Sequence, residues 1–238
     1  MVKELENYNI IVTGGTGDLG QVVIGELIKN GASVFTNFRD QSKFTALKKS
    51  TGNSTLLFGK KADLTKEAEV ISFFGKSREK FKRLDAFFHI MGGFWMGPEL
   101  TDTHWDNWKF MMDLNLNSTF LCTREAFKIM KVQCSGKIFT VSAKSAEEFP
   151  PKMGAYVISK SGVLALTRVL ANEGKQYNIQ ANAILPSILD TPANRKAMPD
   201  ADLNQWITPK AVARLMVQMC RPESQAVSHS YIKVFGKL

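Results

Sequence analysis

The stretch YNIIVTGGTGDLGQVVIGELIKNGA, residues 8–32, reads as a short apolar strand, a turn rich in glycine, and an amphipathic helix that stops at a glycine. Gly14, Gly15, Gly17 and Gly20 fill the turn. Glycine admits positive φ and lets a backbone approach a ligand closely, and a helix N-terminus favours an anion. Elsewhere in a chain such a loop is often only a tight turn. Here it follows the first strand and opens the first helix, the setting that a dinucleotide pyrophosphate requires.

The same alternation continues outward. Strand-like runs follow at SVFTNF (33–38), TLLFGKKAD (55–63), DAFFHIMGG (85–93), GKIFTVSA (136–143), IQANAILP (179–186) and SYIKVFG (230–236). Helical patterns separate them over 42–50, 65–81, 106–134, the stretch around Tyr156 to 176, and 208–221, where Thr208 and Pro209 form a cap and first turn. Apolar strands alternating with helices predict a Rossmann-type, doubly wound α/β fold: a parallel sheet of about seven strands with helices on both faces. No linker, repeat or low-complexity tract interrupts residues 1–238, so a single domain is expected. Ligand crevices in such sheets lie beyond the carboxyl ends of the strands, which here means just after Val12, Phe38, Ile90, Val141 and Leu185.

Bulk properties narrow the class. The chain has 238 residues, 44% hydrophobic and 22% charged, enough for one well-buried domain. No apolar run approaches the ~18 residues that span a bilayer, so no membrane partner is expected. The opening MVKELENYNIIVTGG sets acids ahead of a short apolar run, unlike a secretory leader. Cys122, Cys134 and Cys220 are isolated, which argues for reduced thiols in a cytoplasmic protein, not a disulfide frame or a metal site. The net charge of +9 is spread over Lys43, Lys48, Lys49, Lys60, Lys61, Lys76, Lys80 and Lys82, interleaved with acids. That pattern reads as the solvated outer faces of helices, with steering of an anionic ligand as the second reading and no nucleic-acid partner.

Cofactor choice should be written after the second strand. A ribose-binding acid is expected about 20 residues past the glycines. The slot holds Phe38, and Arg39 follows it. An arginine there can pair with a 2′-phosphate and stack on adenine, which favours NADP(H). Asp40 stays open as the acid if the register is shifted, and Asn37 would suit either cofactor, so NAD(H) remains the alternative.

In GAYVISKSGVLALTRVLA (154–171), Tyr156 and Lys160 stand four apart, on one face of a helix. A cation beside a phenol lowers its pKa from about 10 and makes it a general acid/base for an oxygen.

Together these motifs resemble the short-chain dehydrogenase/reductase family over nearly the whole chain. TGGTGDLG matches its glycine loop, so Gly14, Thr16, Gly17, Asp18, Leu19 and Gly20 are implied cofactor contacts, with Asp18 where many members have glycine. ADLT places Asp63 and Leu64 at the adenine, although Asp63 could equally cap the following helix. HIMGG stands where the family has NNAG, so Gly92 carries over and the asparagines do not. DLNLNSTF points to Asn115 as a relay residue; otherwise it is a buried amide serving the backbone. YVISK supplies Tyr156 and Lys160, implied to hold cofactor as well as to act in catalysis. NAILPSILDTP implies that Pro186, Ile188 and Thr191 border the nicotinamide, Thr191 having a helix cap as its plain alternative.

The family's serine, thirteen residues before the tyrosine, falls on Ala143. Ser142 is the first candidate to replace it, no serine at all the second, and Ser145 the third. LPSILDTPANRKAMPDADLNQW and AKSAEEFPPKMGAY resemble more narrowly the dihydropteridine reductase branch, which has alanine in that slot. Its primed quinonoid substrate needs less help at the oxygen. Phe94, Trp95, Met96 and Trp206 could form a slot for a flat or apolar substrate, or serve only as packing. The expected activity is hydride transfer to a carbonyl, imine or quinonoid small molecule. A regulator that binds the dinucleotide without turnover is the alternative from another class. The resemblance also implies a homodimer or homotetramer.

Overall fold

The computed structural model describes residues 4–237. Seven strands form one sheet: β1 (Asn9–Thr13), β2 (Ser33–Phe38), β3 (Leu57–Lys61), β4 (Ala86–His89), β5 (Gly136–Val141), β6 (Ile179–Pro186) and β7 (Tyr231–Val234). They run in the order β3-β2-β1-β4-β5-β6-β7, every pair parallel. The expected doubly wound fold is present. Its order reverses between β1 and β4, where Thr13 stands beside His89 in register. Crossovers leave on opposite sides there and open a crevice.

Alternation along the strands builds two core layers. Ile10, Val12, Phe88, Phe139 and Ile184 face one side, against α1 (Asp18–Lys29) and α9 (Pro209–Cys220). Ile11, Phe35, Phe87, Ile138 and Ala181 face the other, against α3 (Glu67–Lys80), α5 (Ser118–Gln133) and α7 (Gly154–Gly174). Burial on both faces is why these strands read as unbroken apolar runs. On the first face α2 (Gln41–Ser50) contributes Phe44, stacked on Phe38 with ring centroids 4.4 Å apart. Thr208 caps α9 as expected, its side chain accepting from Ala211 N.

Several expected bounds shift. The helix expected over 106–134 is α4 (Trp105–Met111), a π-helical turn over Met112–Asn117, and then α5. Ser118 and Thr119 Oγ atoms donate back to the carbonyls of Leu114 and Asn115, which accommodates the wider turn. α3 starts at Glu67, not at 65, because Asp63 Oδ1 accepts from both Thr65 N and Thr65 Oγ1 and holds a turn there. Two short helices, α6 (Ser145–Glu148) and α8 (Pro192–Ala197), lack enough length for a periodic signal. Among the described residues no helix is long and apolar enough to cross a membrane.

Candidate active site

The glycine turn is shaped by close approach. Gly14 has φ +73°, and a Cβ on it would stand 2.8 Å from Met91 N, after β4. A Cβ on Gly20 would strike the Gly14 carbonyl. Asn37, at the end of β2, ties the turn down: its Oδ1 accepts from Gly14 N at 2.9 Å and its Nδ2 donates to Ala62 O at 3.3 Å. Both ends of the amide are thereby used within the protein.

A cavity of about 460 Å³ opens in front of this turn. It brings together the expected Gly14, Thr16, Gly17, Asp18, Leu19, Gly20, Arg39, Asp63, Leu64 and Gly92. Lys43, an exposed residue in the first turn of α2, lines it too. Partial burial pushes the Asp63 carboxyl up. The Thr65 hydrogen bonds and the charges of Lys66 and Arg39 outweigh that and hold it low. Asp40 is spent locally, its Oδ1 accepting from Ser42 N and Ser42 Oγ as the cap of α2. Backbone N–H groups at a helix start, a turn rich in glycine and two cations suit a dinucleotide.

The second half of the site lies beyond β4, β5 and β6. Tyr156 and Lys160 share a face of α7, as their spacing requires. Lys160 is buried, and its Nζ donates to Val141 O at 3.0 Å. Burial lowers its pKa to about 8. Burial likewise pushes the Tyr156 phenol up to about 12, with Ser145 pulling weakly the other way. The expected lowering of the Tyr156 pKa by Lys160 is therefore corrected for the ligand-free protein. The ammonium is turned towards the β5 carbonyl, and desolvation governs the phenol.

Asn115 sits on the π-helical turn. Its Oδ1 accepts from Gly93 N at 2.8 Å, and its Nδ2 donates to Gly93 O at 3.1 Å and Ser159 Oγ at 3.0 Å. A Cβ on Gly92 would stand 2.9 Å from both Asn115 Oδ1 and Lys160 Nζ, so these two groups flank a gap that only glycine leaves open. Pro186 ends β6 and its carbonyl accepts from Lys144 N, Ile188 O accepts from Ile207 N, and Thr191 Oγ1 caps α8 by accepting from Asn194 N. Pro186, at the end of β6, and Ile188 and Thr191 beyond it lie outside the lining of the large cavity.

Ser142, the leading sequence candidate for the oxyanion donor, is corrected. It is 2% exposed and donates to Lys160 O at 2.8 Å, so its hydroxyl fixes α7 against β5. The one-residue offset turns it to the opposite side of the chain from Ala143. Ser145 Oγ is buried and has no hydrogen-bond partner among the described residues. His89 was not singled out. It takes the place of an asparagine, with Nδ1 2.9 Å from Thr13 Oγ1 and Nε2 3.3 Å from Ser118 Oγ, and burial lowers its pKa to about 3.

Phe94 lies edge-on to Tyr156 at 5.1 Å and is 62% exposed. Met96, Leu100 and Phe149 are exposed large apolar side chains of the neighbouring loops. A hydrogen bond of 2.9 Å from Gly97 N to Lys152 O joins those loops. Trp95 packs on Gly97, and Trp206 is buried, so neither is a free wall of a slot.

Comparison with known proteins agrees with this geometry. The family model described as short chain dehydrogenase matches residues 8–202. A 3beta-hydroxysteroid dehydrogenase of Mediterraneibacter gnavus is 30% identical over 195 residues, covering 80% of this chain and 69% of the relative. The solved structure of a putative gluconate dehydrogenase from Agrobacterium tumefaciens superposes with a TM-score of 0.91 at 26% identity, covering 99% of this chain and 97% of that one. ElxO with NADP bound superposes at 0.89 with 23% identity, covering 96% and 97%, and shares the fold. The dehydrogenases matched do not single out the dihydropteridine reductase branch. The chain belongs to the short-chain dehydrogenase family and is an oxidoreductase of that type.

Proposed function

We propose that the protein is a single-domain, NADP(H)-dependent reductase of a carbonyl, or activated imine or quinonoid group, on an apolar small molecule. The observation that carries the cofactor reading is the cavity beside the glycine turn. Arg39 and Lys43 both line it, while Phe38 fills the acid position with a core ring and Asp40 is spent on Ser42. Paired cations suit a 2′-phosphate, and the carboxylate that follows β2, Asp40, has its Oδ1 engaged by Ser42. Nicotinamide, when bound, supplies the hydride. Tyr156 gives the proton to the substrate oxygen. Lys160, turning from Val141 O, holds ribose hydroxyls and draws the phenol down from about 12. Asn115 fixes Gly93 and the water that links Lys160 to solvent. Pro186, Ile188 and Thr191 border the nicotinamide. The apolar rim of Phe94, Met96, Leu100 and Phe149 favours a hydrocarbon-rich substrate, in keeping with the hydroxysteroid relative.

Paired fluorescence titration with NADPH and NADH tests this. NADPH is expected to bind at least about tenfold more tightly, one charge-assisted contact being worth that much. Arg39→Ala with Lys43→Gln should close the gap. A preference for NADH would overturn the cofactor reading. It would favour the second reading, a dihydropteridine reductase-like enzyme, whose support is the alanine buried at position 143.

Exposed Trp105, Phe110, Phe120 and Val169, on α4, α5 and α7, support self-association as a homodimer or homotetramer. A monomer by light scattering at micromolar concentration would refute it. Three unpaired cysteines support a reducing, cytoplasmic setting; fractionation of the producing cell that places the protein outside would reject it.

A further inference from the structure

Reduction of a carbonyl leaves negative charge on its oxygen, and a second hydrogen-bond donor beside the proton donor stabilises that charge. Three positions compete for this task. Ser142 has committed its hydroxyl to Lys160 O. Ala143 has none to give. Ser145 opens α6, eleven residues before Tyr156, and its Oγ is shielded from solvent with no partner among the described residues. Buried hydroxyls are normally paired, because desolvation without a compensating bond is unfavourable. An idle buried hydroxyl is therefore informative about a ligand.

Its surroundings hold it in place. Lys144 N donates to Pro186 O at 3.0 Å, fixing the start of α6 to the end of β6. Ser161 Oγ donates to Ala146 O at 3.3 Å, fixing α6 to α7. Phe149 ends the turn at φ +52°. α6 is thus fixed on α7, the helix that carries Tyr156, and the Ser145 hydroxyl draws the phenol's pKa down although the pair falls short of hydrogen-bond geometry.

We propose that Ser145 donates the second hydrogen bond to the substrate oxygen, in place of a serine at position 143. In the reduction, hydride from NADPH adds to the carbonyl carbon and the C=O π pair moves to oxygen. That oxygen takes the Tyr156 proton and leaves a phenolate. Ser145 keeps its own proton throughout and donates to the oxygen as its charge grows. The inference rests on Tyr156 as the proton donor.

The test uses the full chain with NADPH and 9,10-phenanthrenequinone as the carbonyl probe. Ser145→Ala should lose about 10²-fold in kcat, the scale of one oxyanion donor, with NADPH affinity and thermal midpoint unchanged. Ser145→Thr should retain turnover, and adding Ala143→Ser to Ser145→Ala should restore it. In ligand-free protein labelled with ¹³Cζ-tyrosine, the Tyr156 resonance, assigned by its loss in Tyr156→Phe, should move in Ser145→Ala. A Ser145→Ala enzyme with parent-like kcat, alongside an inactive Tyr156→Phe, would overturn the serine assignment alone. An active Tyr156→Phe would overturn the acid role beneath it. If Ser145→Ala does not fold, Ser145→Cys keeps the volume and weakens the donor; parent-like kcat there would also overturn the proposal.

Discussion

Lys160 illustrates what a single buried charge does to the whole protein. Its pKa falls from 10.5 to about 8 because the ammonium is taken out of water. Between those values the unfolded chain holds a proton that the folded protein has released. Stability from this group therefore rises with pH across that window and is lost as pH falls through about 8. The shift corresponds to roughly 3 kcal/mol at most. Lys160→Met is expected to raise the urea unfolding free energy by roughly 1–3 kcal/mol at pH 7, with a smaller gain at pH 10. No gain at pH 7 would show that the bond to Val141 O offsets the burial. That Tyr156 and Lys160 share one face of α7 followed from the four-residue spacing once the stretch was read as a helix. The ammonium's direction did not, because it depends on a carbonyl of β5. The serine problem has the same origin. An offset of one or two residues is ambiguous until α6 is known, and four residues are too few to announce a helix.

At the scale of elements, the strands and the extent of the long helical region were legible, and the turn inside that region was not. Apolar runs covered on both faces stand out in any sequence. The π-helical turn over Met112–Asn117 does not, since it arises from hydroxyls of the next turn bonding backward. That turn carries Asn115, which satisfies both polar groups of Gly93. Asn115→Leu should therefore cost about 2–3 kcal/mol in urea unfolding, mainly by leaving Gly93 N–H and C=O unpaired. It should also weaken NADPH binding as the loop after β4 loosens. A stable variant with parent-like NADPH affinity would mean that the loop is held by other contacts, such as Gly97 N to Lys152 O.

On the whole-molecule scale, topology gathers residues from distant stretches at one edge of the sheet. That the crevice lies beyond the carboxyl ends of the strands was foreseeable from alternation; that it opens between β1 and β4 follows from the strand order. That Lys43 lines the cavity was not foreseeable, because a cation on a solvated helix looks the same in sequence whether it meets water or a cavity. The net charge of +9 adds a diffuse field to these local cations. NADPH affinity should fall more steeply with added salt than NADH affinity, as screening shortens to about 10 Å at 0.1 M. Lys43→Gln should flatten that slope in the same titrations. Equal slopes for both nucleotides would place the 2′-phosphate away from the cations.

The stacked pair Phe38 and Phe44 has a consequence for lineage. On the proposed NADP(H) reading, an aspartate at position 38 would shift the preference towards the other nucleotide, but it would also pull a ring from the hydrophobic layer and strand its neighbour. A descendant taking that path would pass through a less stable ancestor unless position 44 changed in step. On that reading, nucleotide choice at position 38 is tied to the packing behind it.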